Sequence, residues 1–292
     1  MSDGPAPQTV RDITAWAHDN AISIREARDR FAQFAILSGI GRHNQLRLAL
    51  VFKGGNALDF VWNPNRSTRD LDCTLAADGT SQVSGSDDIR LWITQGMISC
   101  EAIHGVTARI QRWDLFPRGQ GHQFPAVQAS IGYALSDQLM LRGRMVDGGV
   151  SAQVIPIDIS FNDPVCASEV RELERGSSLF VATLEDIIAE KLRALLQQPI
   201  RNRSRRQDVL DLAVVLGGSI ELDHIRIAEF LQVKARAKDI AVSKTAFHHQ
   251  DIRRRSSQDY AQLATTTRHT FIPFDEAFAA VLAFVDQLEI PD

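Results

Sequence analysis

The stretch KGGNALDFVWNPNRSTRDLDCTL, residues 53–75, combines a glycine pair, an arginine-containing turn and two aspartates one residue apart. It follows the apolar run LRLALVF (46–52), which predicts a buried strand. Residues two apart in a strand point to the same face, so Asp70 and Asp72 are expected to project together while apolar neighbours anchor the strand. The stretch therefore predicts a strand, a glycine turn with a short helix, and a second strand that presents a carboxylate pair.

A carboxylate pair of this kind favours a metal site. Neighbouring carboxylates repel each other and need cations, and Mg²⁺ is commonly held by one or two carboxylates together with substrate phosphates. Asp158, on the polar face of the predicted strand VIPIDISF (154–161), would bring a third carboxylate if the two strands are neighbours. The alternative is that Asp70 and Asp72 face water at a strand edge. Likewise, Gly54 and Gly55 form either a tight turn or a place where phosphate approaches the backbone and a helix N-terminus.

Length and composition exclude several classes of protein. With 292 residues, 44% apolar and 23% charged, the chain predicts a soluble globular protein of one large or two modest domains. The net charge of −4 gives no overall attraction to nucleic acid or membrane, so such binding would need local patches. Three widely spaced cysteines argue against a disulfide framework or a zinc site. No signal-like N-terminus or long apolar run is present, which predicts a cytoplasmic protein without membrane contact.

Apolar periodicity predicts an α/β (α+β) protein with two parts. Residues 1–180 are expected to form a mixed sheet with helices, and residues 181–292 a helical C-terminal domain. The predicted strands are 46–52, 69–76, 127–135, 138–146 and 154–161, with a loop over 77–85. The predicted helices are 23–38, a short one after Gly55, 86–103, 184–197, 205–216, 222–237 and 274–289.

A second group of charged residues lies in the predicted helical part. Lys191 shares the apolar stripe of the helix that starts near Leu184, so its stem is expected to run along other protein. Asp208 and Asp211 are three residues apart on one helix face, and Arg205 lies three residues before Asp208. Taken alone, Lys191 could equally be a lysine at the edge of the stripe that reaches water. The two aspartates with Arg205, taken alone, are better explained as a salt-bridged helix start.

The two groups together resemble a known family. KGGNAL (53–58) and RSTRDLD (66–72) resemble the first motif of the AbiEii/AbiGii-type nucleotidyltransferase toxins, members of the DNA polymerase β-like nucleotidyltransferase superfamily. Thr68 stands where serine is usual. EKLRALL (190–196) resembles the Glu-Lys helix of the family, and RRQDVLDL (205–212) its Arg-x-x-Asp-x-x-Asp-Leu segment, with Gln207 where many members have arginine. The resemblance covers roughly residues 46–217.

This resemblance implies a polymerase β-like core followed by a helical C-terminal part that completes the active site. It implies Mg²⁺-dependent transfer from a nucleoside triphosphate, with one or two ions held by Asp70 and Asp72 and with Asp158 as a third ligand. The implied catalytic residues are Asp70, Asp72, Lys191 and Asp208. The implied nucleotide-binding residues are Lys53, Gly54, Gly55, Asn56, Arg66, Thr68, Arg205 and Asp211. Thr68 is also a candidate for self-modification.

The family also implies an acceptor and a biological role. It predicts a toxin of a toxin–antitoxin system that transfers nucleotides, pyrimidines preferred, to the 3′ end of tRNA and so blocks translation, with a cognate antitoxin as partner. Basic residues within 191–206 and 234–255 suit an RNA backbone, although such runs also simply solvate helices. The alternatives are a nucleotidyltransferase acting on a small molecule or a protein hydroxyl, an inactive RNA- or partner-binding relative, and a kinase-like use of the triphosphate.

Overall fold

The computed structural model describes residues 4–76, 85–117 and 125–292. The chain forms two compact units. The first consists of Met1–Val61, Ser67–Asp163 and Ser168–Val181, and the second of Trp62–Arg66, Pro164–Ala167 and Ala182–Asp292. The predicted loop over 77–85 lies, apart from Gly85, outside the described residues.

A seven-stranded mixed sheet organises the first unit, in the order β3-β4-β5-β2-β1-β7-β6. β2 is antiparallel to β1 and parallel to β5, and β1 is parallel to β7. The strands are β1 Leu50–Lys53, β2 Leu71–Leu75, β3 Thr107–Phe116, β4 Ala126–Ala134, β5 Val154–Ser160, β6 Ser168–Glu174 and β7 Ser177–Ala182. The α/β class predicted from the sequence is thereby confirmed.

The same part of the chain also forms helices, several of which pack against the sheet. They are a 3₁₀ helix Val10–Asp12, α1 Ile13–Asp19, α2 Ile24–Arg42, α3 Asn44–Ala49, α4 Gly54–Ala57, a π-helix Leu58–Trp62, α5 Ser86–His104 and α6 Leu139–Val146. α2 begins with a capping box, in which Ser23 accepts from the backbone N–H of Glu26 and the Glu26 carboxylate accepts in return. Gly39 and Gly96 let α2 and α5 approach closely, since a Cβ at Gly39 would lie 2.6 Å from the Gly96 carbonyl oxygen.

Of the predicted strands, 46–52 is helical in its first half and 138–146 is helical over nearly its whole length. Residues 46–49 belong to α3, which starts where the His43 side chain accepts from the backbone N–H of Leu46, and only Leu50–Lys53 is extended. Residues 139–146 form α6, because leucine, methionine and arginine favour helix and the segment lacks a β-branched alternation. The prediction also missed β3, β6 and β7, of which β6 is mostly polar and carries no period-two apolar pattern.

The second unit is helical, as the periodicity predicts. Its helices are α7 Leu184–Arg201, α8 Arg206–Leu216, α9 His224–Arg236, α10 Lys244–Phe247, α11 Gln250–Ser257, a 3₁₀ helix Tyr260–Thr265 and α12 Phe274–Gln287. α7 packs against α8, α9 and α11, and α8 packs against α12. Within the described ranges, no helix combines the length and the apolarity that crossing a membrane requires.

Candidate functional site

Three carboxylates converge on the sheet of the first unit. Asp72 on β2 lies directly beside Asp158 on β5 in the parallel register, and Asp70 precedes β2 by one residue. One carboxylate oxygen from each of the three residues lies within 4.8 Å of the others, and none of the three side chains is buried. We call Asp70, Asp72 and Asp158 the acidic triad. The convergence predicted from the alternation in the two strands is confirmed.

The electrostatics of the acidic triad call for a cation. Burial, and after it the negative charge of Asp70, raise the pKa of Asp158 above its ordinary value. A hard divalent cation such as Mg²⁺ prefers oxygen ligands, and the triad offers only oxygens at a spacing that one ion can bridge. The donor set therefore fits the metal that the resemblance implies.

The glycine turn lies directly beside this triad. Gly54 has a φ of +74°, which disfavours other residues, and a Cβ at this position would overlap the Asp72 carboxylate. A Cβ at Gly55 would lie 2.7 Å from the Thr68 methyl carbon. The Thr68 hydroxyl oxygen is buried and has no hydrogen-bond partner among the residues that the structure describes. Both glycines are thus required for the close approach of the turn to the triad and to Thr68.

Lys53 also borders the triad, since it pairs with Asp72 in the antiparallel register of β1 and β2. Its ammonium group lies 3.0 Å from the carboxylate of Asp163, which also accepts a hydrogen bond of 2.9 Å from Ser160. Lys53, which the sequence predicts to bind the triphosphate, is therefore already ion-paired with Asp163 just after β5. Asp163 was missed in the sequence because no spacing links it to Lys53.

Gln128 is another residue that sequence reasoning missed. It lies opposite Asp158 in the antiparallel register of β4 and β5, and it is exposed. Since directly opposite residues share a face of the sheet, Lys53, Asp72, Asp158 and Gln128 form one polar row across four strands. The sequence alternation of β4 places Gln128 on the polar face, but only the register brings it next to Asp158.

The side chain of Asn56 lies in the interior of the first unit. Its side chain is 0% exposed, and both of its ends are hydrogen-bonded within the first unit. The side-chain amide faces the interior because buried polar groups of the adjacent segment need its donors and its acceptor. The place of Asn56 along a triphosphate stays a prediction.

The second unit contains a compact group of charges, Arg66, Lys191, Arg205, Asp208 and Asp211, which we call the lysine cluster. The Lys191 ammonium group lies 2.8 Å from a carboxylate oxygen of Asp208 and 2.8 Å from one of Asp211. Arg66 binds Asp211 through two nitrogens, at 3.2 and 2.9 Å. Arg205 lies 3.8 Å from Asp208 and is the most exposed member. The expectation that Lys191 points inward from its helix is confirmed.

Each charge in the lysine cluster stabilises its partners. Burial disfavours the charged form of Lys191, but the carboxylates of Asp208 and Asp211 outweigh it and raise the lysine pKa above its ordinary value. Burial opposes ionisation of Asp211 in the same way, but Lys191 and Arg66 lower the pKa of that carboxyl. Lys191 and Asp211 are therefore both ionised and paired with each other at neutral pH.

Arg66 reaches this cluster because its chain segment belongs to the second unit. The Asn65 amide donates to the Thr270 carbonyl at 3.0 Å and accepts from the Thr270 N–H at 2.8 Å, while the Arg268 N–H donates to the Asn65 carbonyl. The motif RSTRDLD thus divides between the units, with Arg66 in the helical unit and Asp70 and Asp72 in the unit that contains the sheet. Sequence proximity alone suggested one continuous site segment.

The two basic stretches are less available to RNA than their composition suggests. Lys191, Arg193 and Lys234 are buried and ion-paired with aspartates or glutamates. Arg253 and the two arginines after it pair with Asp275 and Asp251. The exposed members of the two stretches are Arg201, Arg203, Arg236, Arg253 and Arg254. The remaining basic surface is smaller than a count of residues predicts.

Solved structures share this fold. The nucleotidyltransferase toxin MenT4 of Mycobacterium tuberculosis is similar with a TM-score of 0.58 and 17% sequence identity, over 95% of this chain and 90% of that chain. A putative nucleotidyltransferase of H. pylori is similar with a TM-score of 0.52 and 13% identity, over 91% of this chain and 95% of that chain. Comparison with curated proteins gives no significant match.

A family model decides the assignment. The model described as nucleotidyl transferase AbiEii toxin, type IV TA system, matches residues 35–282. This range is most of the chain, and it includes every residue of the acidic triad and of the lysine cluster. The match agrees with the motifs of residues 53–72 and 190–212 and with a sheet that presents three carboxylates beside a glycine turn. The protein therefore belongs to the AbiEii family of nucleotidyltransferase toxins from type IV toxin–antitoxin systems.

Proposed function

We propose that this nucleotidyltransferase uses Mg²⁺ and a nucleoside triphosphate, with pyrimidines preferred, to extend the 3′ end of tRNA and so block translation. The observation that carries the proposal is the acidic triad, in which three carboxylates meet beside a turn that only glycine can form. Such a toxin works in the cytoplasm and requires a cognate antitoxin.

The triad is proposed to hold the metal. Asp70 and Asp72 are the main ligands, and Asp158 is the third, where a bound cation would favour the ionised form that burial now disfavours. Bound Mg²⁺ supplies charge neutralisation at the phosphate oxygens of the transferred group. Nucleotidyl transfer otherwise depends on positioning, which is the task left to the protein.

The nucleotide is proposed to bind through the residues around the glycine turn. Gly54 and Gly55 let the triphosphate approach the backbone, and the Thr68 hydroxyl supplies a hydrogen bond. Lys53, held by Asp163, contributes a fixed positive charge next to Asp72. A cation whose side chain is already fixed loses less conformational entropy when it binds phosphate.

The lysine cluster is proposed to serve the same reaction. Asp208 and Asp211 fix the Lys191 ammonium group, and Asp211 fixes the Arg66 guanidinium, so that both cations have one orientation. Lysine has three N–H donors, and the two carboxylates accept from two of them. The third can donate to a phosphate oxygen, while the exposed Arg205 provides a mobile charge.

The acceptor is proposed to be RNA because relatives implied by the family resemblance add nucleotides to tRNA 3′ ends. The exposed arginines of α7, α9 and α11 and of the segment after α7 offer phosphate contacts. Binding to these residues should therefore weaken as the salt concentration rises.

The test is label transfer from each of the four nucleoside triphosphates, carrying the label at the α-phosphate, to total tRNA in the presence of Mg²⁺. Label is expected on tRNA, most strongly with CTP or UTP, and not on tRNA whose 3′ terminal diol has been oxidised with periodate. Asp72→Ala is expected to transfer no label, whereas exposed Asp147→Ala is the matched control that keeps activity.

Other outcomes select the alternatives. Label on a small molecule or on protein would replace tRNA as the acceptor. Transfer from the γ-phosphate but not from the α-phosphate would show a kinase. No transfer with any nucleotide, and growth unaffected by induced expression without antitoxin, would favour an inactive binding protein.

A further inference from the structure

Two side-chain amides hold the backbone that leads into the acidic triad. The Gln33 amide donates to the carbonyl oxygens of Thr68 and Arg69, at 2.8 and 3.0 Å. The Asn56 amide donates to the carbonyl oxygens of Thr68 and Asp70, at 3.0 and 2.6 Å. Three successive carbonyls are thus bound by side chains just before β2 begins at Leu71. The position of the Asp70 backbone is set by these two amides.

Arg30 fixes the orientation of both amides. One of its terminal nitrogens donates to the Asn56 side-chain oxygen at 2.7 Å and to the Gln33 side-chain oxygen at 3.4 Å. A guanidinium group has donors only, so both amide oxygens must face Arg30. Both NH₂ groups are then directed to the backbone carbonyls. Neither amide can turn over without losing the contact with Arg30.

Arg30 is itself held rigidly. Its side chain is 1% exposed and forms an ion pair of 2.5 Å with Asp59, whose side chain is 2% exposed. It also donates to the Pro5 carbonyl at 2.9 Å and lies 3.3 Å from the centroid of the Phe60 ring. A buried ion pair adds little net stability compared with apolar residues of the same volume, so its use here is consistent with fixing a conformation.

We propose that Asn56 and Gln33, oriented by Arg30, are positioning residues that keep the Asp70 carboxylate in the acidic triad. This inference rests on the proposed metal site. Three carboxylates at this spacing repel one another when no cation is bound, and Asp70 lies outside the ladder of β2. The amides prevent the Asp70 backbone from moving away, so the triad is preformed for a metal ion.

The test measures Mn²⁺ binding to the protein without nucleotide, by electron paramagnetic resonance, in Asn56→Asp and Gln33→Glu. Each change keeps the side-chain shape and an acceptor for Arg30 but removes the NH₂ donors. Mn²⁺ affinity is expected to fall about 10- to 100-fold, the usual cost of losing a residue that orients a ligand. An added negative charge would by itself tighten cation binding, so a weaker affinity cannot come from charge.

Tyr133→Phe is the matched control. It removes a partly buried hydrogen bond of 2.5 Å to Asp29 in the same unit without touching residues 68–70. It is expected to lower the melting temperature and to leave Mn²⁺ affinity unchanged. Amide hydrogen exchange at residues 69–72 is expected to accelerate in Gln33→Glu and not in Tyr133→Phe.

The inference is overturned if Asn56→Asp and Gln33→Glu lose stability but bind Mn²⁺ as the wild type does. Should Asn56→Asp fail to fold, Gln33→Glu decides, because Asn56 still holds two of the three carbonyls. Asp70→Ala separates this inference from the metal site. If Asp70→Ala loses Mn²⁺ and Gln33→Glu keeps it, only the positioning role is wrong. If the wild type and Asp70→Ala bind Mn²⁺ equally, the metal site is wrong and this inference falls with it.

Discussion

The acidic triad and the lysine cluster are two charged groups with opposite electrostatic design. The triad brings three carboxylates together, and their repulsion is relieved only by a cation that comes from outside these three side chains. The lysine cluster carries its own counter-charges, since Lys191 and Arg66 share Asp211 and Lys191 also binds Asp208. A group that is incomplete by itself is suited to bind a ligand, whereas a complete one is suited to hold its members in place.

The difference predicts which group the fold depends on. Lys191→Met should lower the free energy of unfolding of the protein by about 3–5 kcal/mol, because it leaves Asp208 and Asp211 with one buried cation fewer. Urea denaturation measures this. Arg201→Met, an exposed change in the last turn of the same helix, should cost less than about 0.5 kcal/mol. Equal losses for the two variants would show that the lysine cluster is not a structural unit.

Activity should depend on the triad without a matching loss of stability. Asp72→Ala is expected to reduce nucleotidyl transfer at least about 100-fold, or ~2.7 kcal/mol in barrier height, since changes behind a metal ligand already cost up to this much. Its melting temperature should stay equal to or above that of the wild type, because removal of one carboxylate relieves repulsion. If Asp72→Ala is inactive because it is unfolded, the triad is needed for the fold as well, which contradicts this expectation.

Magnesium should stabilise the protein through the acidic triad and not through the lysine cluster. At about ten times its dissociation constant, Mg²⁺ should add about 1.4 kcal/mol to the free energy of unfolding, as expected for a ligand that binds only the folded state. Asp72→Ala should lose this gain and Lys191→Met should retain it, as measured by urea denaturation with and without Mg²⁺. If Lys191→Met also loses the gain, the two groups are coupled in metal binding.

The sequence predicted the chemistry of each group better than the contacts within it. Alternation along a strand is a local property, so the sequence predicts that Asp70 and Asp72 share a face. The sequence also predicts that Asp158 lies on the polar face of its own strand, and it joins the pair on the condition that the two strands are neighbours. The register that places Gln128 beside Asp158, and the segment that ties Arg66 to Asp211, depend on long-range packing. The apolar run predicts a strand over residues 46–49 that is helical in the structure, because a short apolar run does not distinguish a strand from a buried helix.

The sequence also does not predict the buried hydrogen bonds that Arg30, Gln33 and Asn56 form next to the triad. Arg30 lies on a helix whose apolar stripe predicts core packing, and nothing in its spacing to Asn56 or Asp59 indicates an ion pair. A polar residue buried among apolar ones becomes interpretable only when its partners are known. The sequence therefore predicts a nucleotide contact for Asn56 from the family resemblance but does not indicate its bonds to residues 68–70.

The smallest expected effect is the pH dependence of the lysine cluster. The folded pKa of Asp211 lies below its ordinary value of 3.8, so its stabilisation is present above that value and is lost as the pH falls through the folded pKa. The folded pKa of Lys191 lies above 10.5, so its stabilisation is present below 10.5 and is lost as the pH rises through the folded pKa.

The difference in unfolding free energy between the wild type and Asp211→Asn should therefore be constant from about pH 5 to about pH 9 and shrink in stronger acid and in strong base. Urea denaturation at several pH values measures it, with Asp147→Asn, at an exposed position, as the control. A slope in the neutral range would mean that Asp211 shares a proton with a neighbour in the folded protein. The lysine cluster would then change its protonation near neutral pH, as active-site groups do. The two groups would then differ only in how fully their charges are paired.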